Sequence, residues 1–192
     1  IGQFHREEHI SFTFHARIGE KRIEREWRWW PFKERVTLES AEGGVPFTYA
    51  RGTVTPQSPE RLRSIDQKFV NDSYWLLFPF HVVWDPAVRL ETIAEPAFTG
   101  DVRAAGGLRI SYPEGEGYTP GDVYEVYYDA NHRIKRWVYR KAGSATPTRV
   151  TRWETYERVG PLTLSLRRPS PNDPAFVVRF SDVTVKWRPP ER

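Results

Sequence analysis

The sequence contains no cysteine and no methionine. Without a thiol there is no disulfide framework, no thiolate metal site and no cysteine nucleophile. Without a methionine, Ile1 is not a natural start. A removed upstream segment is expected, either a signal peptide, a lipoprotein leader or sequence trimmed from around a domain. No run of about 18 uncharged apolar residues occurs, so nothing spans a bilayer as a helix. The most apolar window, Tyr74 to Trp84, is too short and is interrupted by Pro79. A single-sign charge stripe is also missing: the 29 basic and 25 acidic residues are interleaved, whereas a nucleic-acid binder more often gathers one sign on one face. Gly115-Glu116-Gly117 lies between strand patterns and opens no helix, so it is not a phosphate loop.

What the chain has instead is rings. Aromatics make up 15% of it, with 8 Trp, 9 Tyr and 11 Phe. Such side chains favour strands and each buries roughly 150–250 Å². The plain reading is an aromatic β core; the sharper one is a concave sheet face lined for an apolar guest. At 192 residues the chain fits one domain, residues 1–192, with a sizeable core.

Period-2 alternation dominates. Ile10, Phe12, Phe14 and Ala16 alternate with polar residues, and Gly19-Glu20 turns the chain into a second strand with Ile23, Trp27 and Trp29 on one side. The charged run Glu20 to Glu26 reads as a solvated strand face with cross-strand pairs. Arg35–Glu39 and Val45–Ala50 are the next strands expected. Ser58 and Pro59 form a helix start, followed by Leu62, Ile65, Phe69 and Val70 at helical spacing with Arg61, Arg63, Asp66 and Lys68 between them. This predicts a helix to about Asp72, then a second short helix capped by Asn71 or Asp72 and broken at Pro79. Strands are expected again over Val88–Ile93, Leu108–Tyr112, the hairpin Asp122–Tyr128 with Arg133–Arg140, Arg149–Glu157, the Leu162/Leu164/Leu166 alternation, and from Phe176 onward. The phase slip at Ser181-Asp182 predicts a bulge.

Few residues point to catalysis. His5-Arg6-Glu7-Glu8-His9 matches the inverted zinc-peptidase spacing, but on a strand, positions four apart lie about 13 Å from one another, so no metal site is expected. His15, His81 and His132 have no serine or carboxylate partner nearby in sequence, although triads assemble from distant positions. Asp122, Glu125, Asp129, Glu154 and Glu157 have basic neighbours on adjoining strands, and solvated pairing is the expectation for them. Arg133, Lys135, Arg136, Arg140 and Lys141, with Trp137 and Tyr139, have the composition of an RNA platform; the same carboxylates would neutralise much of that charge. No motif implies a cofactor.

Four segments carry a family resemblance: Asn71-Asp72-Ser73-Tyr74-Trp75-Leu76-Leu77-Phe78-Pro79-Phe80, Gly121-Asp122-Val123-Tyr124-Glu125-Val126-Tyr127, Trp137-Val138-Tyr139-Arg140 and Thr151-Arg152-Trp153-Glu154. Together they resemble a group of bacterial exported proteins in the lipoprotein-carrier superfamily, the LolA and LppX type. The resemblance covers roughly residues 70 to 185. It implies a mainly β (α+β) fold, a strongly curved antiparallel half-barrel with one or two helices closing its concave side and a lipid or acyl chain between. It also implies the periplasm or outer cell envelope, with a lipid anchor on an upstream segment as one form.

The function expected is therefore non-enzymatic binding of a lipid, acyl chain or other apolar ligand under a helical lid. Its walls would be Tyr74, Trp75, Leu76, Phe78, Phe80 and Trp84, facing Tyr124, Tyr128, Trp137 and Trp153. The alternatives are an envelope scaffold with a filled core and a protein partner, and, behind it, an enzyme with a dispersed site.

Overall fold

The alternating apolar residues of the first forty positions build a long hairpin. β1 (Glu7–Ile18) turns at Gly19 into β2 (Lys21–Trp30), and the turn residue has φ +59°, a conformation natural to a residue without Cβ. Cross-strand pairs such as Phe12 with Trp27 follow from that register. β3 (Arg35–Leu38) and β4 (Phe47–Ala50) continue the meander. Then come α1 (Glu60–Trp84), β5 (Arg89–Ile93), β6 (Gly106–Ser111), β7 (Val123–Tyr128), β8 (Ile134–Arg140), β9 (Arg149–Arg152), β10 (Glu154–Val159), β11 (Leu162–Pro169) and β12 (Phe176–Trp187). The computed structural model describes residues 7–40, 43–85, 87–94, 104–113 and 120–187.

The described strands form two open antiparallel sheets, ordered β10-β11-β12-β1-β2-β3-β4 and β5-β6-β7-β8-β9. The fold is thus mainly β with one long helix, the α+β class expected. Helix α1 lies against both sheets. Its Ile65, Phe69, Leu76 and Leu77 join Ile10, Phe12, Trp27, Val36 and Phe180 in the core under the seven-stranded sheet. Phe78 passes to a second core with Ile110, Tyr124, Val126, Ile134, Trp137 and Trp153. Phe12, Trp27 and Phe69 are at most 2% exposed, and truncating a buried ring of that kind costs about 3–5 kcal/mol.

Several expectations change. The two helices expected around Asn71 and Asp72 are one helix, with non-helical backbone at Leu77 (φ −112°, ψ 20°). Pro79 causes the irregularity, since it has no N–H to give the Trp75 carbonyl and its ring crowds that carbonyl. Asp72 is no cap. It is fully buried and accepts from Arg25 Nε and Nη2 at 2.6 and 2.7 Å and from Trp27 Nε1 at 2.8 Å. Arg25 accordingly leaves the solvated face proposed for residues 20–26, because period 2 puts it in phase with Ile23 and Trp27. Asp66, expected on the polar side of α1, is buried and accepts the Tyr49 hydroxyl at 2.8 Å.

The single strand expected over 149–157 is two strands in different sheets. β9 pairs with β8 and β10 with β11, and the chain crosses at Trp153, whose amide still donates to the Lys135 carbonyl at 3.0 Å. Thr155 has φ +53° just after the crossing. The bulge does occur at 181–182: Ser11 pairs with Thr184 and Thr13 with Ser181, and Asp182 has φ +53°.

Candidate ligand-binding cleft

On α1, residues 74, 78 and 81 share one side, as i, i+4 and i+7 positions must. The Tyr74 ring lies 5.1 Å from that of Phe78 and 5.2 Å from that of His81. On the facing sheet, the even positions of β7 point inward: Tyr124 is the register partner of Tyr139 on β8 and of Ile110 on β6, and its ring stacks on Tyr139 at 5.2 Å. Trp137, two residues before Tyr139 on the same face, meets Trp75 of the helix at 4.6 Å. The hydroxyls of Tyr74 and Tyr112 meet at 2.6 Å.

Between these walls runs a cleft of about 620 Å³. Five of the ten residues expected at a ligand site line it: Tyr74, Trp75, Trp84, Tyr124 and Trp137. Leu76 is part of the core under the seven-stranded sheet, Phe78 and Trp153 of the second core. Phe80 packs on Trp84 at 6.1 Å. Tyr128 lies at the far end of β7, past the register shift at Tyr127/Tyr128, with its ring over Gly106, where a Cβ would collide with it. The cleft also uses Trp29, His81, Tyr112 and Tyr139, which sequence reasoning did not put there. Tyr139 was the most findable, being in phase with Trp137.

Three titratable groups of the cleft, Tyr74, His81 and Tyr112, are held in their neutral forms. Burial pushes the Tyr112 hydroxyl up to about 12 and that of Tyr74 well above its ordinary value. Burial, then the nearby Arg51 charge, pushes His81 down to about 3. One carboxylate is also on the wall: Asp122, expected to be solvated, is 2% exposed and accepts the Ala142 amide at 3.0 Å, while Arg51, Gln67 and Asn71 are exposed at the margin. A second groove of about 940 Å³ shares Trp29, Arg51 and Gln67 with the cleft and has Glu34, Glu60, Arg63 and Asp66 along it beside Pro31, Val54 and Pro56.

Other candidate sites resolve differently. His9 lies on β1 with its ring 5.9 Å from that of Trp30, while His5 falls outside the described residues. Among the described residues, no group of three His, Asp or Glu is placed to hold a metal ion. Glu125, expected to be solvated, is 8% exposed and accepts from Arg109 at 2.9 Å and Arg140 at 3.0 Å. With Arg140 so engaged and Trp137 turned into the core, the basic hairpin presents no stacking platform. Asp129 accepts the amides of Asn131 and Arg133 in its own turn.

His15 gains partners that its sequence neighbours did not reveal. Its Nε2 is 2.9 Å from Ser181 Oγ and its Nδ1 3.1 Å from Glu24. Burial and the Arg179 charge lower its pKa. The order acid–imidazole–hydroxyl imitates a triad, but the Ser181 proton is directed at Asp182, 2.7 Å away, and the Glu24 side chain is 71% exposed. The cluster sits on the outer face of β1, opposite Phe14 and Ala16, and is a cross-strand polar ladder.

No helix among the described residues is long and apolar enough to cross a membrane. No protein-family model matches the chain, and no curated protein matches it in sequence. Among solved structures, the fold is similar to that of a LolA superfamily protein from Nitrosomonas europaea, with a TM-score of 0.51 at 6% identity, over 94% of this chain and 86% of that one. At that identity the likeness is one of fold.

Proposed function

We propose that the protein binds a lipid, an acyl chain or another apolar small molecule, without catalysing a reaction on it, in the cleft between α1 and the inner face of the five-stranded sheet. We place this activity in the periplasm or outer cell envelope. The observation that carries the reading is the cleft itself, about 620 Å³ with mostly aromatic walls, inside the range of about 300–1,000 Å³ usual for ligand sites. Burying an acyl chain there is favourable by about 0.8 kcal/mol per methylene. The LolA-type fold of the structural neighbour agrees with a carrier role.

Organic extraction of the purified protein, followed by native and denaturing mass spectrometry, tests the reading. Near-stoichiometric lipid is expected in the wild type. In Trp75→Ala, which removes the indole packed on Trp137, affinity should fall about tenfold, the equivalent of about 1.4 kcal/mol, and the bound fraction should drop with it. A wild type that carries no lipid and takes up none when it is added overturns the proposal and redirects attention to a protein partner.

A further inference from the structure

Seven buried side-chain nitrogen or oxygen atoms of the described residues have no hydrogen-bond partner, and five belong to one neighbourhood: Trp137 Nε1, Thr151 Oγ1, Trp153 Nε1, and Nε and Nη2 of Arg168. Thr151 and Trp137 are register partners on β9 and β8, and Trp153 follows Thr151 by two residues. Phe78 touches both indoles, at 6.2 and 6.1 Å. The Arg168 guanidinium lies 3.9 Å from the centre of the Trp153 ring and 5.2 Å from that of Phe180. Four of the five atoms can only donate.

Arg168 is 0% exposed. Its Nη1 donates to the Ser165 carbonyl at 2.6 Å, and burial pushes its pKa down to about 9, opposed by the Tyr156 phenol rather than by any carboxylate. A buried cation with unused donors is costly unless an acceptor meets it. The two unused nitrogens, Nε and Nη2, form one edge of the guanidinium, the edge that takes both oxygens of a carboxylate. The same molecule shows that edge in use, where Arg25 Nε and Nη2 donate to the two oxygens of Asp72.

We infer that Arg168 and the neighbouring indole N–H groups receive the acidic head of the ligand, a long-chain carboxylate whose tail lies in the aromatic cleft. This rests on the apolar-ligand reading and narrows its ligand class. Trp137 joins the two parts, since its ring lines the cleft while its Nε1 is one of the unpartnered donors. Phe78 stands between them, flanked by the irregular Leu77 and by Pro79, where the helical hydrogen-bond ladder is already interrupted; it is the side chain that moves aside on entry.

The test compares dodecanoate with 1-dodecanol, which have equal tails and different heads, by titrating the wild type and Arg168→Met calorimetrically. Wild type should bind dodecanoate at least about tenfold more tightly, as a hydrogen-bonded charge would provide. Arg168→Met should bind both at the level of the alcohol. Equal affinities in the wild type, or a preference that survives in Arg168→Met, overturn the inference while leaving the apolar site standing. Should the variant fail to fold, the wild-type comparison decides alone. If neither compound binds, the apolar-ligand reading itself fails and the inference with it.

Discussion

Two arginines among the described residues, Arg25 and Arg168, reach into the interior, and the protein treats them differently. Arg25 reaches inward from β2 and finds Asp72 on α1, which also takes the Trp27 indole N–H. Arg168, on β11, is the more deeply buried of the two, yet it lies between two rings with one backbone carbonyl and two unpartnered nitrogens. The first arrangement is complete within the chain and ties the helix to the sheet. The second is stacked as a cation and leaves two of its donor nitrogens unused. The difference separates a polar group that holds the fold from one available to a ligand.

The largest effect should come from breaking the complete pair. Asp72→Ala leaves Arg25 and Trp27 without their acceptor, and losing one partner of a buried pair costs about 3–5 kcal/mol, read as a shift in the urea midpoint. Arg168→Met without ligand should stay within about 2 kcal/mol of wild type, because an apolar side chain replaces a buried unpaired cation. Equal losses in the two variants would erase the distinction.

A second contrast concerns protons. His81, whose Nε2 is also buried and unpartnered, has its pKa lowered from 6.5 to about 3 in the fold. Between those values the unfolded chain carries the proton and the folded one does not, so stability is full above pH 6.5 and falls as pH drops toward about 3. The slope from this group approaches about 1.4 kcal/mol per pH unit. His81→Phe should remove that portion of the acid sensitivity in urea unfolding at pH 4 and 7; an unchanged profile would mean that the imidazole finds an acceptor in solution.

The smallest effect expected is a gain. Thr151→Val replaces a fully buried hydroxyl that has no partner with a methyl of the same shape, and ligand-free stability should rise by about 1 kcal/mol. A loss of that size would show the hydroxyl to be hydrogen-bonded.

Local patterns were legible where one strand or one turn decides them. The alternation of Ile10, Phe12, Phe14 and Ala16, the turn at Gly19, the β7–β8 hairpin and the bulge at Ser181-Asp182 all follow from near neighbours. The division into two sheets at Trp153 was not legible, because residues 149–157 keep one strand period across the crossing. Nor was the choice among aromatics in the Tyr74–Trp84 segment. It is apolar on nearly every side, and which rings face the cleft depends on a helix phase that Leu77 and Pro79 interrupt.

By itself the sequence determined an antiparallel, aromatic, mainly β fold with a helix before its second half, since those features rest on period, propensity and turn chemistry along the chain. Only the tertiary structure decided which polar groups are complete. Asp72 meets Arg25 across 47 positions, His15 meets Ser181 across 166, and Arg168 meets two rings and no carboxylate. A hydrogen bond is satisfied by position in space, and no local pattern encodes the partner that folding brings within 3 Å or leaves out of reach.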